Sequence, residues 1–183
     1  MPAPNGNQRP ATSPGSRFRE LGLLLPEPPT PLGAYVESSA VGNLLFLSGI
    51  IPVVNRKLAI SGRLGENLSV LQGQEAARLA ALNALAVAAQ HLGSLDRLKK
   101  LIKLTVLMAT TESFTDHAAV ADGASNLFVQ IFGAEAGHTR VVYGVSSLAI
   151  GAPVMVDVFF EIAPLPSPKR TKFTSSISHP FGA

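Results

Sequence analysis

With no cysteine in the chain, thiolate nucleophiles, disulfides and thiolate-bound metals are excluded together, and any chemistry has to come from nitrogen and oxygen groups. His91, His117, His138 and His179 lie at no metal-ligand spacing, so no metal and no cofactor is expected. Serines are plentiful, yet none stands in a nucleophile-elbow motif. Gly62 through Gly65 lacks the Lys-Ser/Thr ending of a phosphate-binding loop. Asn67-Leu68-Ser69 is a formal glycosylation triplet, which carries little weight without a secretory signal. Arg97, Lys99, Lys100 and Lys103 form a basic cluster, but no aromatic residues interleave with it to stack bases, so it reads as a solvated charge run. Arg140 opens a strand two residues after His138, where a guanidinium pairs with whatever carboxylate comes near.

The elements that must position these groups belong to one domain, because 183 residues suffice for a single well-filled core. Charged residues make up 15% of the chain against a typical value of roughly 25%, and 46% of residues are hydrophobic, which points to a buried subunit interface. The high isoelectric point misleads about nucleic acid. Residues 21–163 carry nine Lys/Arg against eleven Asp/Glu, so the basic excess lies in the tails and the body lacks the positive field of a nucleic-acid groove. Residues 1–16 and 164–183, the latter with Lys169-Arg170-Thr171-Lys172, read as disordered tails around a domain at 17–163. Prolines in the leader oppose the amphipathic helix of a transit peptide, and no apolar run is long enough to span a bilayer. A soluble, cytoplasmic protein is expected.

Arg17 to Leu25 reads as a short helix, ended by the connector Pro26–Pro31. Ala34–Val41 and Leu44–Gly49 are strand-like around Gly42-Asn43, a pair suited to a two-residue hairpin turn. Asn55-Arg56-Lys57 suggests a tight turn into a short third strand at Leu58-Ala59-Ile60. Gln72–His91 is dense in Ala and Leu, with Gly93 placed as a C-terminal cap. Lys100–Met108 reads as a strand, Ala118–Phe132 as a second long helix before Gly133, and Arg140–Leu148 and Val154–Ile162 as two last strands. The order β-β-β-α-β-α-β-β predicts an α+β two-layer sandwich, a mixed sheet with two helices on one face. The last strand alternates Val154, Val156, Val158 and Phe160 with Met155, Asp157, Phe159 and Glu161, so neither face is purely polar and burial against copies of the same chain is the simplest cover.

Several segments together resemble the Rid/YjgF family. They are Leu21-Gly22 through Leu25-Pro26, Pro31-Leu32-Gly33-Ala34-Tyr35, Gly42-Asn43-Leu44-Leu45-Phe46-Leu47-Ser48-Gly49-Ile50-Ile51-Pro52, Gln74-Glu75-Ala76-Ala77-Arg78, Asn83-Ala84-Leu85, Gly123-Ala124-Ser125 and His138-Thr139-Arg140. The resemblance covers about residues 18–163, is strongest to the longer-chain branch, and implies a chorismate-mutase-like fold, a homotrimer and ligand clefts between neighbouring subunits. It also implies hydrolysis of reactive enamines and imines to 2-oxo acids and ammonia. On this resemblance Arg140 matches the carboxylate-binding arginine, whose planar fork suits a small carboxylate-bearing metabolite. Tyr35 matches a tyrosine lining the cleft, and Gly49 a glycine where backbone comes close to the ligand.

Two positions depart from the pattern. Deaminating members carry acid, any residue, acid on the last strand, and here the first acid is Met155, a thioether that cannot take a proton from water. Asp157 stands at the second acid and faces the same side, displaced by roughly 7 Å. Asp122 replaces an asparagine before Gly123-Ala124-Ser125, and an anion facing the cleft would discourage a carboxylate. The expected function is therefore imine hydrolysis, with Arg140 and Asp157 as catalytic candidates and Tyr35, Gly49, Asp122 and Met155 as cleft residues. A catalytically degenerate member binding a metabolite or a partner protein is the alternative. A ribonuclease-type member is a third reading, supported only by the basic cluster and tail.

Overall fold

In the computed structural model, which describes residues 13–164, the first element is a helix, α1 (Pro14–Glu20). It begins earlier and ends sooner than the expected 17–25 helix, and so lies partly inside the segment assigned to the N-terminal tail. The reason is local: Ser13 accepts from the Ser16 N–H as N-cap, Pro14 sits where a helix tolerates it, and Phe18 is buried. The Gly15 N–H donates to Asp96 Oδ1 at 2.8 Å, tying α1 to the body. The rest of the two expected tails, residues 1–12 and 165–183, lies outside the described residues.

Strands β1 (Ser38–Val41) and β2 (Leu44–Leu47) form the hairpin around Gly42-Asn43, with Val41 opposite Leu44 and Gly42 at a φ of 60°. β1 is shorter than expected because residues 31–37 have no strand to pair with. The Asn55-Arg56 turn also forms, with both residues at positive φ, but the strands it joins, β3 (Val53–Val54) and β4 (Lys57–Leu58), make a separate two-stranded ribbon. The expected third strand at 58–60 therefore never enters the main sheet. Helix α2 (Val70–Leu92) opens on a capping box between Ser69 and Gln72 and closes on Gly93 at a φ of 78°. A long strand, β5 (Leu98–Ala109), helix α3 (His117–Phe132), and strands β6 (Thr139–Val145) and β7 (Val154–Ile162) complete the fold.

The five-stranded sheet runs β1-β2-β7-β5-β6, antiparallel except for the parallel pair β5 and β6. The mixed sheet and the helical layer are as expected, and among the described residues α1 joins α2 and α3 in that layer by packing on α3. Burial along β7 alternates strictly: Val154, Val156, Val158, Phe160 and Ile162 are buried beneath the helices, and Met155, Asp157, Phe159 and Glu161 are half-buried on the other face. Cross-strand partners extend that second face through Thr105 and Leu107 on β5 to Val141 and Tyr143 on β6, and through Phe46 on β2 to Phe159. No helix among the described residues is long and apolar enough to cross a membrane.

Candidate functional site

A cavity of about 390 Å³ opens between the 29–37 segment, the residues just after β2, and the start of β7. Tyr35, Gly49 and Met155 meet there, as three of its lining residues. Tyr35 lies in an irregular loop rather than a strand, 47% exposed, its hydroxyl accepting from the Leu32 N–H at 3.1 Å. Gly49 is glycine for space: a Cβ there would collide with the Met155 sulfur. The far wall, Ile51 to Val53, is pinned from behind by Asn83 of α2, whose buried amide donates to the Ile51 and Val53 carbonyls at 3.0 Å each. That anchor explains an asparagine in the apolar middle of an alanine-rich helix, where its backbone-bonding tendency would otherwise count against it.

Oxygen and nitrogen groups in the cavity are few. Arg56 is held by Glu27 at 2.6 Å. The Ser48 hydroxyl is buried with no partner, and burial pushes the Glu37 carboxyl above its ordinary range.

Arg140 is elsewhere in the chain. It pairs across β5 with Leu104, itself opposite Val158, and so projects from the helix-covered face of the sheet, whereas Met155 projects from the other. Its Nη1 donates to Asp122 Oδ1 at 2.7 Å and to Ser125 Oγ at 3.0 Å, both on α3 one turn apart. Ser125 Oγ is also 3.1 Å from His138 Nε2. That oxygen accepts from Arg140 and keeps both a second lone pair and its own proton, so it can serve either tautomer of His138. Burial, and then the neighbouring Arg140 charge, hold the His138 pKa below its ordinary value, which favours the neutral ring. Among the described residues no other hydrogen bond reaches the guanidinium, so its Nε and Nη2 edge remains available as a bidentate fork.

Asp122 thus faces the arginine instead of solvent alone. The pair is partly exposed, 26% at Arg140 and 49% at Asp122, and such pairs contribute about 0.2–1 kcal/mol. A charge-assisted bond to an incoming carboxylate, at about 1.5–3 kcal/mol, outweighs it. Asp157 shares Met155's face, opposite Thr105 on β5, and is not among the residues lining the cavity. Burial raises its pKa, partly offset by Lys103, which also lies 5.6 Å over the Phe159 ring. Two residues went unnoticed as site candidates in the sequence. Ser125 carried a signal in its position three residues after Asp122, and Glu37 carried none.

The model of the family described as "YjgF/chorismate_mutase-like, putative endoribonuclease" matches residues 15–162. This chain belongs to that family. It is 38% identical over 148 residues to Protein TCP17 of Trypanosoma cruzi, covering 80% of this chain and 92% of the relative. Among solved structures, a Shewanella oneidensis protein described as a "putative endoribonuclease" superposes with a TM-score of 0.78 at 36% identity, over 82% of this chain and 99% of that one. Protein Atu1372 of Agrobacterium tumefaciens, described as of unknown function, superposes with a TM-score of 0.75 at 35% identity, over 82% and 92%. The resemblance carried by the sequence motifs and the fold therefore agree on one family.

Proposed function

We propose that the protein is a cytoplasmic homotrimer whose clefts, each formed between neighbouring subunits, hydrolyse reactive enamines and 2-imino acids to 2-oxo acids and ammonia. The observation that carries this reading is the meeting of Tyr35, Gly49 and Met155 in one cavity of about 390 Å³, within the range of about 300–1,000 Å³ usual for small-molecule sites. Arg140 of a neighbouring subunit holds the substrate carboxylate. Two features support that division of labour: Arg140 sits on the edge strand β6 with one guanidinium edge free, and the open sheet face carries Phe46, Phe159, Leu107 and Tyr143, an apolar surface suited to burial between copies. Hydrolysis of a protonated imine needs little beyond a base and orientation, and clamping the substrate carboxylate supplies the orientation.

A second reading, a family member that binds a metabolite or protein partner without turnover, is favoured by Met155 at the position of the expected acid. The deciding assay generates 2-imino acids in situ with an amino-acid oxidase and follows ammonia release or semicarbazone competition, for wild type and Arg140→Ala. The expected result is acceleration by wild type, reduced on the order of 100-fold in the variant, as loss of a bidentate charged contact predicts. Absence of acceleration by wild type would favour the binding reading.

A further inference from the structure

We propose that Glu37 is the general base of the cavity, in place of the carboxylate that Met155 does not supply. The inference rests on the imine-hydrolysis reading and adds to it a residue outside the acid, any residue, acid pattern of the last strand. Glu37 lines the same cavity as Tyr35, Gly49 and Met155. Among the described residues its carboxylate makes neither a hydrogen bond nor an ion pair, whereas the cavity's cation, Arg56, is already held by Glu27. Its backbone is fixed by the Ser48 N–H, which donates to the Glu37 carbonyl at 2.9 Å. That contact sets the Glu37 and Ser48 backbones side by side on the cavity wall, where the Ser48 hydroxyl is buried without a partner among the described residues. Desolvation strengthens the carboxylate as a base by raising its pKa. Asp157 is a weaker candidate, since it lies outside the cavity lining and Lys103 stabilises its charged form.

The chemistry balances with water as the sole co-reactant. The Glu37 carboxylate takes one proton from water as the oxygen bonds to the iminium carbon, and the C=N π pair moves to nitrogen to give a carbinolamine. Glu37 then returns that proton to the nitrogen. The C–N bond breaks with its electrons leaving on ammonia, the oxygen closes the carbonyl, and the hydroxyl proton passes through Glu37 to ammonia, giving a 2-oxo acid and ammonium.

The test uses the full chain in the in-situ imine assay, with Glu37→Gln, Glu37→Asp, and the double variant Glu37→Gln with Met155→Glu. Glu37→Gln is expected to lower kcat on the order of 100-fold with KM within about twofold, the scale of a lost general base. Glu37→Asp should retain part of the rate. The double variant should recover at least about tenfold over Glu37→Gln, because a carboxylate returns to the same cavity from β7. An active wild type with Glu37→Gln equally active overturns the assignment and leaves imine hydrolysis standing. A loss in Glu37→Gln that the double variant does not repair marks structural damage and overturns it too. An inactive wild type removes both.

Discussion

The cavity around Tyr35, Gly49 and Met155 and the cluster where α3 meets β6 are built on opposite plans. In the cluster, Asp122, Arg140, Ser125 and His138 satisfy one another in a continuous chain of hydrogen bonds. In the cavity, most of the lining is carbon, the Ser48 hydroxyl is buried without a partner, and the partly exposed Glu37 carboxylate makes no hydrogen bond or ion pair among the described residues. A fold ordinarily spends its buried polar groups on one another, since each unsatisfied one costs about 1–3 kcal/mol. The two buried atoms left over among the described residues, Ser48 Oγ on the cavity wall and Asn83 Oδ1 behind it, both border the cavity, whereas the satisfied cluster points to positioning. Arg140 belongs to both descriptions: Nη1 is held and the other edge is free.

The largest break in this contrast comes from Arg140→Lys. Lysine keeps the charge but loses the fork, so KM for a 2-imino acid should rise about tenfold to 100-fold, measured by initial-rate kinetics, if the free edge is what binds carboxylate. An unchanged KM would assign Arg140 to structure alone.

A pair of glycines separates packing from site shape. A Cβ on Gly123 would collide with the backbone of Gln74 where α3 crosses α2, and backbone cannot yield. Gly123→Ala should destabilise by about 1–3 kcal/mol, read as a lower thermal midpoint. Gly49→Ala meets only the flexible end of Met155. It should leave the midpoint nearly unchanged and lower kcat/KM by narrowing the cavity.

Asp122→Asn sharpens the comparison on a smaller scale. Removing a partly exposed pair worth about 0.2–1 kcal/mol frees Arg140 and should lower KM about two- to fivefold. A rise in KM would mean that Asp122 aims the guanidinium rather than competing for it.

The smallest effect is one of pH. His138 is depressed in the folded protein, so the unfolded chain binds its proton more readily, and the stability linked to this residue is present above its ordinary pKa and lost as pH falls through it. Scanning fluorimetry from pH 7.5 to 5.5 should show a larger drop in midpoint for wild type than for His138→Gln. Glu37 and Asp157, with raised pKa values, have the opposite sign, their contribution being lost as pH rises above the ordinary carboxylate range. The difference between wild type and variant isolates the histidine.

Legibility in the sequence followed the range of the forces involved. The Gly93 stop, the Gly42-Asn43 turn and the alternation of β7 are set by neighbours a few residues away, and all appear where the sequence implied, whereas the Ser69–Gln72 capping box starts α2 two residues before the expected Gln72. The third strand expected at 58–60 is instead part of a separate two-stranded ribbon, Val53–Val54 with Lys57–Leu58, because a turn signal gives a hairpin but not its partner. Tyr35 reads as a strand residue by composition, yet no strand lies beside it to complete a ladder. Glu37 looked like any acid on a hairpin approach, since burial and an absent partner are properties of the surroundings.

Local chemistry in the chain thus determined the elements, their order, the family resemblance and the loss of the expected acid at position 155. Folding decided what each polar group faces. Arg140 and Met155 are 15 positions apart on neighbouring segments, yet period-two alternation and the sheet order send them to opposite faces. Asp122 and Ser125 reach Arg140 only because α3 crosses over the edge strand. Glu37 comes to the Met155 cavity only because β2 pairs with β7 and brings the hairpin approach over it.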